Sequence, residues 1–439
     1  MSAPDIGLAV IHGHFYQPPR ENPWTGLVDV EPSAAPDHDW NVRITREAYQ
    51  PLVPVYQFLS FDFGPTLLDW LEREAGAVYD GVIRAERGNA LAMPYHHIIL
   101  PLATRRDKET EVRWGIADFK RRFRRDPVGF WLPETAVDSE TLDVLAAEGI
   151  QFTVLAPHQV SKPPERGLPA RIELGNGRSI AVFVYDGGLS HDVAFGGLTT
   201  NADRWTQALE RTPRGAITSI AVDGETFGHH HKGGDTTLAI VIRRLQQSGK
   251  VQVTNFAAAL AKYPPRATVD LVEPTSWSCP HGVERWRSAC GCRIHTDRPS
   301  QQDWRAPLRF AVEWLAYEVH VIYDREGRDL PGGPRAFLEA AGATGPVRGG
   351  GNENTARLIE MERGVLRAMS SCGWFFDDIA GLEGRQVLRY AAHAISLAGA
   401  ESARLEAGFI AQLGDARSND PNAGSAADIF RQSFQPAQP

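Results

Sequence analysis

Apolar runs in the first half of this chain repeatedly end in residues that can do chemistry, and that coincidence constrains the fold most. "IGLAVIHGH" closes on His12 and His14, and "VGFWLPE" closes on Glu134. "IQFTVLAPHQ" ends near His158, "SIAVFVYDGG" ends at Asp186, and "ITSIAVDGE" ends on Asp223 and Glu225. Near-continuous apolar runs of this length suit parallel strands buried on both faces. Helical stretches are expected at about 139–148 and 236–247, alternating with those runs. The pattern predicts an α/β fold of βα units wound into a barrel or an open sheet. In such folds ligands gather at the carboxyl ends of the strands, where these polar residues fall.

The texture changes after residue 299. Leu308, Val312, Leu315, Val319 and Ile322 recur at helical spacing, as do Leu358, Met361, Val365 and Met369, and then Leu405, Phe409 and Leu413. "LPGGPRAF" and "RGGGNEN" separate these helices. The expected layout is a barrel-type domain over 1–299, a helical domain over 300–414 and a disordered polar tail over 415–439.

Composition narrows the functions. The net charge of -8 and an isoelectric point near 6.0 argue against nucleic-acid partners, which call for a basic face. The run "KRRFRR" at Lys120 to Arg125 is read as a solvated helix face. The first residues lack a basic leader region, and no apolar stretch reaches the ~18 residues a membrane span needs. The expectation is a cytoplasmic protein with no membrane partner. Tryptophan occurs 11 times, which serves a core and equally serves sugar stacking.

Glu134 alone is explained as an acid at a helix start, and Asp223 alone as a turn residue before Gly224. Together, each following a predicted strand, they fit the paired carboxyls of glycosidic cleavage. His12, His14, His229, His230 and His231 have competing readings: metal ligands with Asp223, or hydrogen-bond partners for sugar hydroxyls. His96 and His97 add a polar site beside "IILPL". Cys279, His281, Cys290, Cys292 and His295 cluster in sequence and have two readings: a structural zinc site, although the spacing matches no common zinc signature, or buried thiols, which is the favoured one.

These residues resemble glycoside hydrolase family 57, retaining enzymes acting mostly on α-glucans. "HGHFYQPP" resembles that family's opening H-x-H-Q-P region, with His12, His14 and Gln17, although Phe15 and Tyr16 separate His14 from Gln17. "GNALAMPYHHIILPL" resembles the second region, with Ala90 and Leu91 near the place of its acid. "GFWLPE" matches the nucleophile region at Glu134, and "AVDGETFGHH" the acid/base region at Asp223. "SSCGWFFDD", with Trp374, resembles the aromatic fifth region. "HGHFYQPPRENPW" and "SWSCPHGVERW", which holds Trp277 and His281, resemble one subgroup.

The resemblance implies a (β/α)7 barrel followed by a helical domain that completes the active site. It implies double displacement, with Glu134 as nucleophile and Asp223 as acid/base, on an oligo- or polysaccharide and with no cofactor or metal. His12, His14, Gln17, His96, His97, Trp131, Asp186, Glu225, His229, His230, Trp277, His281 and Trp374 would bind substrate. Two alternatives stand beside it. One is a metal-dependent carbohydrate hydrolase of mannosidase or deacetylase type, using His12, His14 and Asp223. The other is a catalytically silent glycan-binding protein.

Overall fold

A computed structural model describes residues 6–175, 177–297, 299–342 and 353–434. Two compact units divide the chain. The first comprises Met1–Gln17, Val30–Met93 and Phe119–Glu273, and the second Pro18–Asp29, Pro94–Asp118 and Pro274–Pro439. The second unit thus takes two earlier segments besides the later part of the chain.

The first unit is α/β. Its strands are β1 (Gly7–Phe15), β2 (Ser60–Phe63), β3 (Gly129–Phe130), β4 (Phe152–Leu155), β5 (Ala170–Glu173), β6 (Ser179–Val184), β7 (Ile217–Asp223), β8 (Val251–Thr254) and β9 (Ala267–Thr268). All of β1 is buried, as its unbroken apolar run requires. It pairs in parallel with β7 along one edge, from Leu8↔Ile217 to His14↔Asp223. Its other edge is shared: β8 takes Gly7–Val10, and β2 takes His12–Phe15. Parallel bridges Phe61↔Ala90 and Ala92↔Phe130 carry the order onward to β3, which pairs with β4, and β4 with β6. The result is a parallel arc, β7-β1-β2-(90–92)-β3-β4-β6.

Among the described residues no strand ladder joins β6 to β7. The ends of the arc meet through one backbone hydrogen bond, Asp186 N–H to Ser219 O, at 2.8 Å. Antiparallel β5 occupies the earlier part of β6, just as β8 occupies the start of β1. Both insertions separate neighbours at their amino ends and leave the carboxyl ends to meet directly. Polar residues from several strands are thereby drawn to one end.

The expected helices appear at Ser139–Ala147, capped by Asp138 onto Thr141 N–H at 2.7 Å, and at Gly234–Ser248. The basic run 120–125 is not wholly solvated. Arg122 is buried, with its guanidinium bonded to Asp69, to Glu72 at 3.0 Å and to the Tyr79 hydroxyl at 3.2 Å. A buried arginine persists only with such partners.

The second unit is helical toward its end. Arg305–Glu326, Glu353–Ala368 and Ser402–Leu413 realise the three periodic stretches, and Leu382–Ser396 adds a fourth helix. The separator "RGGGNEN" lies mostly outside the described residues, as does the end of the tail beyond 434. The described tail is ordered rather than disordered. Ala426–Phe434 is a helix that buries Ala426, Ala427, Ile429 and Phe430. No helix among the described residues is long and apolar enough to cross a membrane.

β3 approaches β4 closely at Gly129, where an added Cβ would stand 2.2 Å from the Phe152 ring. Gly129→Ala is expected to lower the unfolding free energy by about 1–3 kcal/mol, because a filled core yields only through strain. Gly76→Ala, with nothing within 4 Å of the new methyl, should shift it by less than ~1 kcal/mol. Urea denaturation of both variants checks this.

Candidate active site

β1, β2 and β7 set three residues side by side by register: Asp62 opposite His14, and His14 opposite Asp223. Asp62 is fully buried, and each of its carboxylate oxygens takes one histidine. His12 Nε2 lies 3.0 Å from Oδ1, and His14 Nδ1 lies 2.7 Å from Oδ2. An ionised carboxylate only accepts, so both of these ring nitrogens donate. His12 Nδ1 then accepts from the Ser60 hydroxyl at 3.1 Å. Both nitrogens of His12 are engaged, so it offers none to a metal in this arrangement.

The two histidines differ in charge. Burial holds His12 below its ordinary pKa despite the bond from Asp62. For His14 the same burial is outweighed by the charge and bond of Asp62, with Asp223 and Glu225 beyond, and the group is carried up to about 9. His14 is therefore a cation near neutral pH. Burial disfavours the Asp62 carboxylate, but the two histidines more than offset this and hold its pKa below the usual range. Trp131 is fully buried and stacks on both rings, with centroids 4.5 Å from His12 and 5.3 Å from His14. It supports the histidines from one side.

Asp223 ends β7. Its side chain reaches solvent, yet protein encloses it enough that lost hydration pushes its carboxyl above the usual range. The His14 cation opposes that shift, and the Asp62 carboxylate adds to it. Glu225 is buried and is pushed from 4.5 up to about 7, first by burial and then by the charge of Asp223. Its Oε1 accepts from the Tyr49 hydroxyl and from Tyr16 N–H at 3.3 Å. Gln17 in turn hydrogen-bonds Tyr49.

Glu134 follows β3 in the turn Pro133–Thr135 and is half-buried. It has φ 57°, and Thr135 has φ 48°. Left-handed backbone is a true outlier for a β-branched residue and costs on the order of 1–3 kcal/mol unless its surroundings impose it. Buried Gln159 does so: its Nε2 donates to Thr135 O at 2.7 Å, while its Oε1 accepts from Ala156 N–H at 2.8 Å.

The remaining predicted residues divide between the units. In the first, His229 bonds Glu47 at 2.6 Å, and Lys232 joins the same carboxylate at 2.7 Å. Burial disfavours the Glu47 carboxylate, but these two partners hold it down at about 2. His230 is lowered to about 4 by lost hydration, then by His229 and His231. Asp186 caps the helix Gly187–Ala194 through Leu189 N–H at 2.9 Å.

In the second unit, His96 is fully buried, with Nδ1 on Glu111 at 2.6 Å, and His97 is buried on the Ser371 hydroxyl at 2.7 Å. Trp374 is fully buried, donates to Arg305 O at 3.2 Å and lies under the Arg309 guanidinium, 4.0 Å from its centroid. His96, His97 and Trp374 are all buried. Trp277 is half-buried, and His281 is exposed beside Cys292. Sequence reasoning missed Asp62, Tyr49, Glu47 and Gln159. Only Asp62 had a signal, an acid inside "SFDF".

Fold and site together define an α/β protein with carboxyl groups gathered where parallel strands end. The model of glycosyl hydrolase family 57 matches residues 27–272, and a domain of unknown function (DUF3536) matches 335–439. No curated protein matches. Several solved structures are similar. An exo-type maltose-forming amylase from Pyrococcus sp. ST04 has a TM-score of 0.75 at 15% identity, covering 92% of this chain and 82% of that one. A family 57 branching enzyme from Pyrococcus horikoshii has a TM-score of 0.60 at 14% identity, covering 98% and 94%. A 4-alpha-glucanotransferase from Thermococcus litoralis has a TM-score of 0.60 at 17% identity, covering 90% and 60%. The chain belongs to glycosyl hydrolase family 57, and is thereby an enzyme of glycosidic bonds.

Glu225 makes stability depend on pH. Its folded pKa is raised, so its contribution is complete below 4.5 and is lost as pH rises through about 7. That loss is limited to about 3 kcal/mol. Glu225→Gln should therefore gain stability relative to the parent between pH 5 and pH 7.5, as read from urea midpoints. A gap that stays constant with pH contradicts the assignment.

Proposed function

We propose that the chain is a retaining enzyme of α-glucans, a hydrolase or glucanotransferase, with Glu134 as nucleophile and Asp223 as acid/base. Family membership supports this reading. The observation that carries it is the placement of the two carboxyls past the ends of β3 and β7, at the same end of one parallel arc, in contrasting surroundings. The raised pKa of Asp223 suits a group that must donate a proton to the leaving oxygen. Glu134 bonds to the anomeric carbon as the bond from that carbon to the leaving oxygen breaks. Once Asp223 has given up its proton, the His14 cation favours the carboxylate that results, which next takes a proton from water or an acceptor sugar as that oxygen bonds to the anomeric carbon and releases Glu134. One residue thus serves as acid and then as base.

Glu225, protonated over much of the acidic range, limits the negative charge around Asp223. Gln17, through Tyr49, holds Glu225 in place, and the exposed edge of the His229–His230 loop is where sugar hydroxyls would be met. A second reading, metal-dependent hydrolysis through His12, His14 and Asp223, is disfavoured by the full engagement of His12.

Incubation with maltooligosaccharides and amylose, followed by chromatography, tests the proposal. The parent should give shortened, lengthened or branched products, while Glu134→Gln should lose at least ~10³-fold in kcat. Asp223→Asn should lose activity on glucans yet keep the first step on an aryl glycoside whose leaving group needs no proton. Full activity in Glu134→Gln would overturn the proposal. An absence of turnover on every glucan by the parent would favour the silent glycan-binding reading.

A further inference from the structure

From Pro274 to Trp304 the described residues form only one short helical turn, Glu284–Trp286, before the helix Arg305–Glu326 begins. Loops beyond ~12–15 residues without regular structure are uncommon unless something else holds them. Here four side chains converge. Sγ of Cys279, Cys290 and Cys292 and a ring nitrogen of His281 all lie within 4.8 Å of one another.

The individual spacings are informative. Cys279 Sγ is 4.0 Å from Cys290 Sγ and 3.7 Å from Cys292 Sγ, and Cys292 Sγ is 3.6 Å from His281 Nδ1. A disulfide needs about 2.05 Å, so none of these pairs is bonded. A tetrahedral zinc ion with Zn–S near 2.3 Å and Zn–N near 2.0–2.1 Å would set S···S at about 3.8 Å and S···N at about 3.6 Å. These three spacings lie within about 0.2 Å of those values, and the remaining pairs lie within 4.8 Å.

Backbone groups also face the cluster. N–H groups of His281 and Arg285 point at the Cys279 sulfur. Gly291, between the other two cysteines, has φ 91°, a turn that a side chain would oppose. We propose that Cys279, His281, Cys290 and Cys292 form a structural zinc site that pins this loop. All four positions are filled by protein, as in closed structural sites.

The loop's other anchors start from this cluster. Gly291 N–H donates to Gln302 at 3.1 Å, and Ile294 and His295 N–H both donate to Asp377, at 2.7 and 2.8 Å. Arg285 donates to Phe375 O and stacks 3.6 Å over that ring. The ion would add the one strong crosslink that such scattered bonds lack, and would couple metal loading to folding of the loop. The proposal is independent of the catalytic assignment.

Metal analysis of the full-length protein, purified without chelator from zinc-supplemented culture, is the test. The parent and Cys372→Ser should each carry one zinc per chain, while Cys290→Ser and His281→Ala should carry less than a tenth as much. Cobalt exchanged into the parent should give the intense thiolate-to-cobalt absorption of a tetrahedral site. A parent with no stoichiometric zinc that takes up no cobalt overturns the proposal, whether its denatured chains titrate as four free thiols or as two thiols and a disulfide. Equal zinc in the parent and in Cys290→Ser overturns it as well.

Discussion

The two histidines at the carboxyl end of the arc, and through them Asp223, depend on one buried carboxylate, Asp62. A lone charge there would be costly, and removing one partner of such a buried cluster typically costs 3–5 kcal/mol. With both oxygens occupied, Asp62 fixes the planes of His12 and His14, and Trp131 closes over them from the core. The same tie settles charge: His12 stays neutral, while His14 becomes the cation that faces Asp223. None of this survives a register error. A slip of one residue between β1 and β2 would turn His14 away from Asp62, and a slip against β7 would turn it from Asp223.

The electrostatics follow from that arrangement. Burial favours the protonated form of Asp223, and the His14 cation favours its carboxylate. Subjected to both, the residue is suited to hold each form in turn. Glu225, one residue away from the alternation, is buried with a tyrosine hydroxyl on its oxygen and contributes its charge only as the pH rises. Glu134 is governed differently. Its position is set by backbone, in a left-handed turn that Gln159 holds from the turn after β4.

Much of this was legible in the chain. β1, β6 and β7 are long apolar runs, and strands buried on both faces leave that mark, so the residues closing them stood out. β2 was not legible. "SFDF" is four residues with an acid in the middle, and an acid inside a strand reads as solvent-facing until its two histidines are known. Arg122 was misread for the same reason: its partners Asp69 and Glu72 lie some fifty positions away. Trp374 belongs to an aromatic-rich stretch that sugar-binding and core-forming sequences share, and packing buries it. The tail helix did carry a local sign that polar composition masked. Ser425 and Asp428 exchange hydrogen bonds as a capping box, with the Ser425 hydroxyl on Asp428 N–H and the Asp428 carboxylate on Ser425 N–H.

The central claim is that Glu134 carries the sugar between the two halves of the reaction. Rapid acid quenching during turnover of a slow, fluorinated α-glucosyl donor, followed by peptide mass spectrometry, tests it most directly. The account predicts one glycosyl group per chain, attached to the peptide "GFWLPE" at Glu134, and no adduct in Glu134→Gln. A stable adduct on any other carboxyl group, or continued turnover with release of the inverted anomer and no adduct, would contradict it.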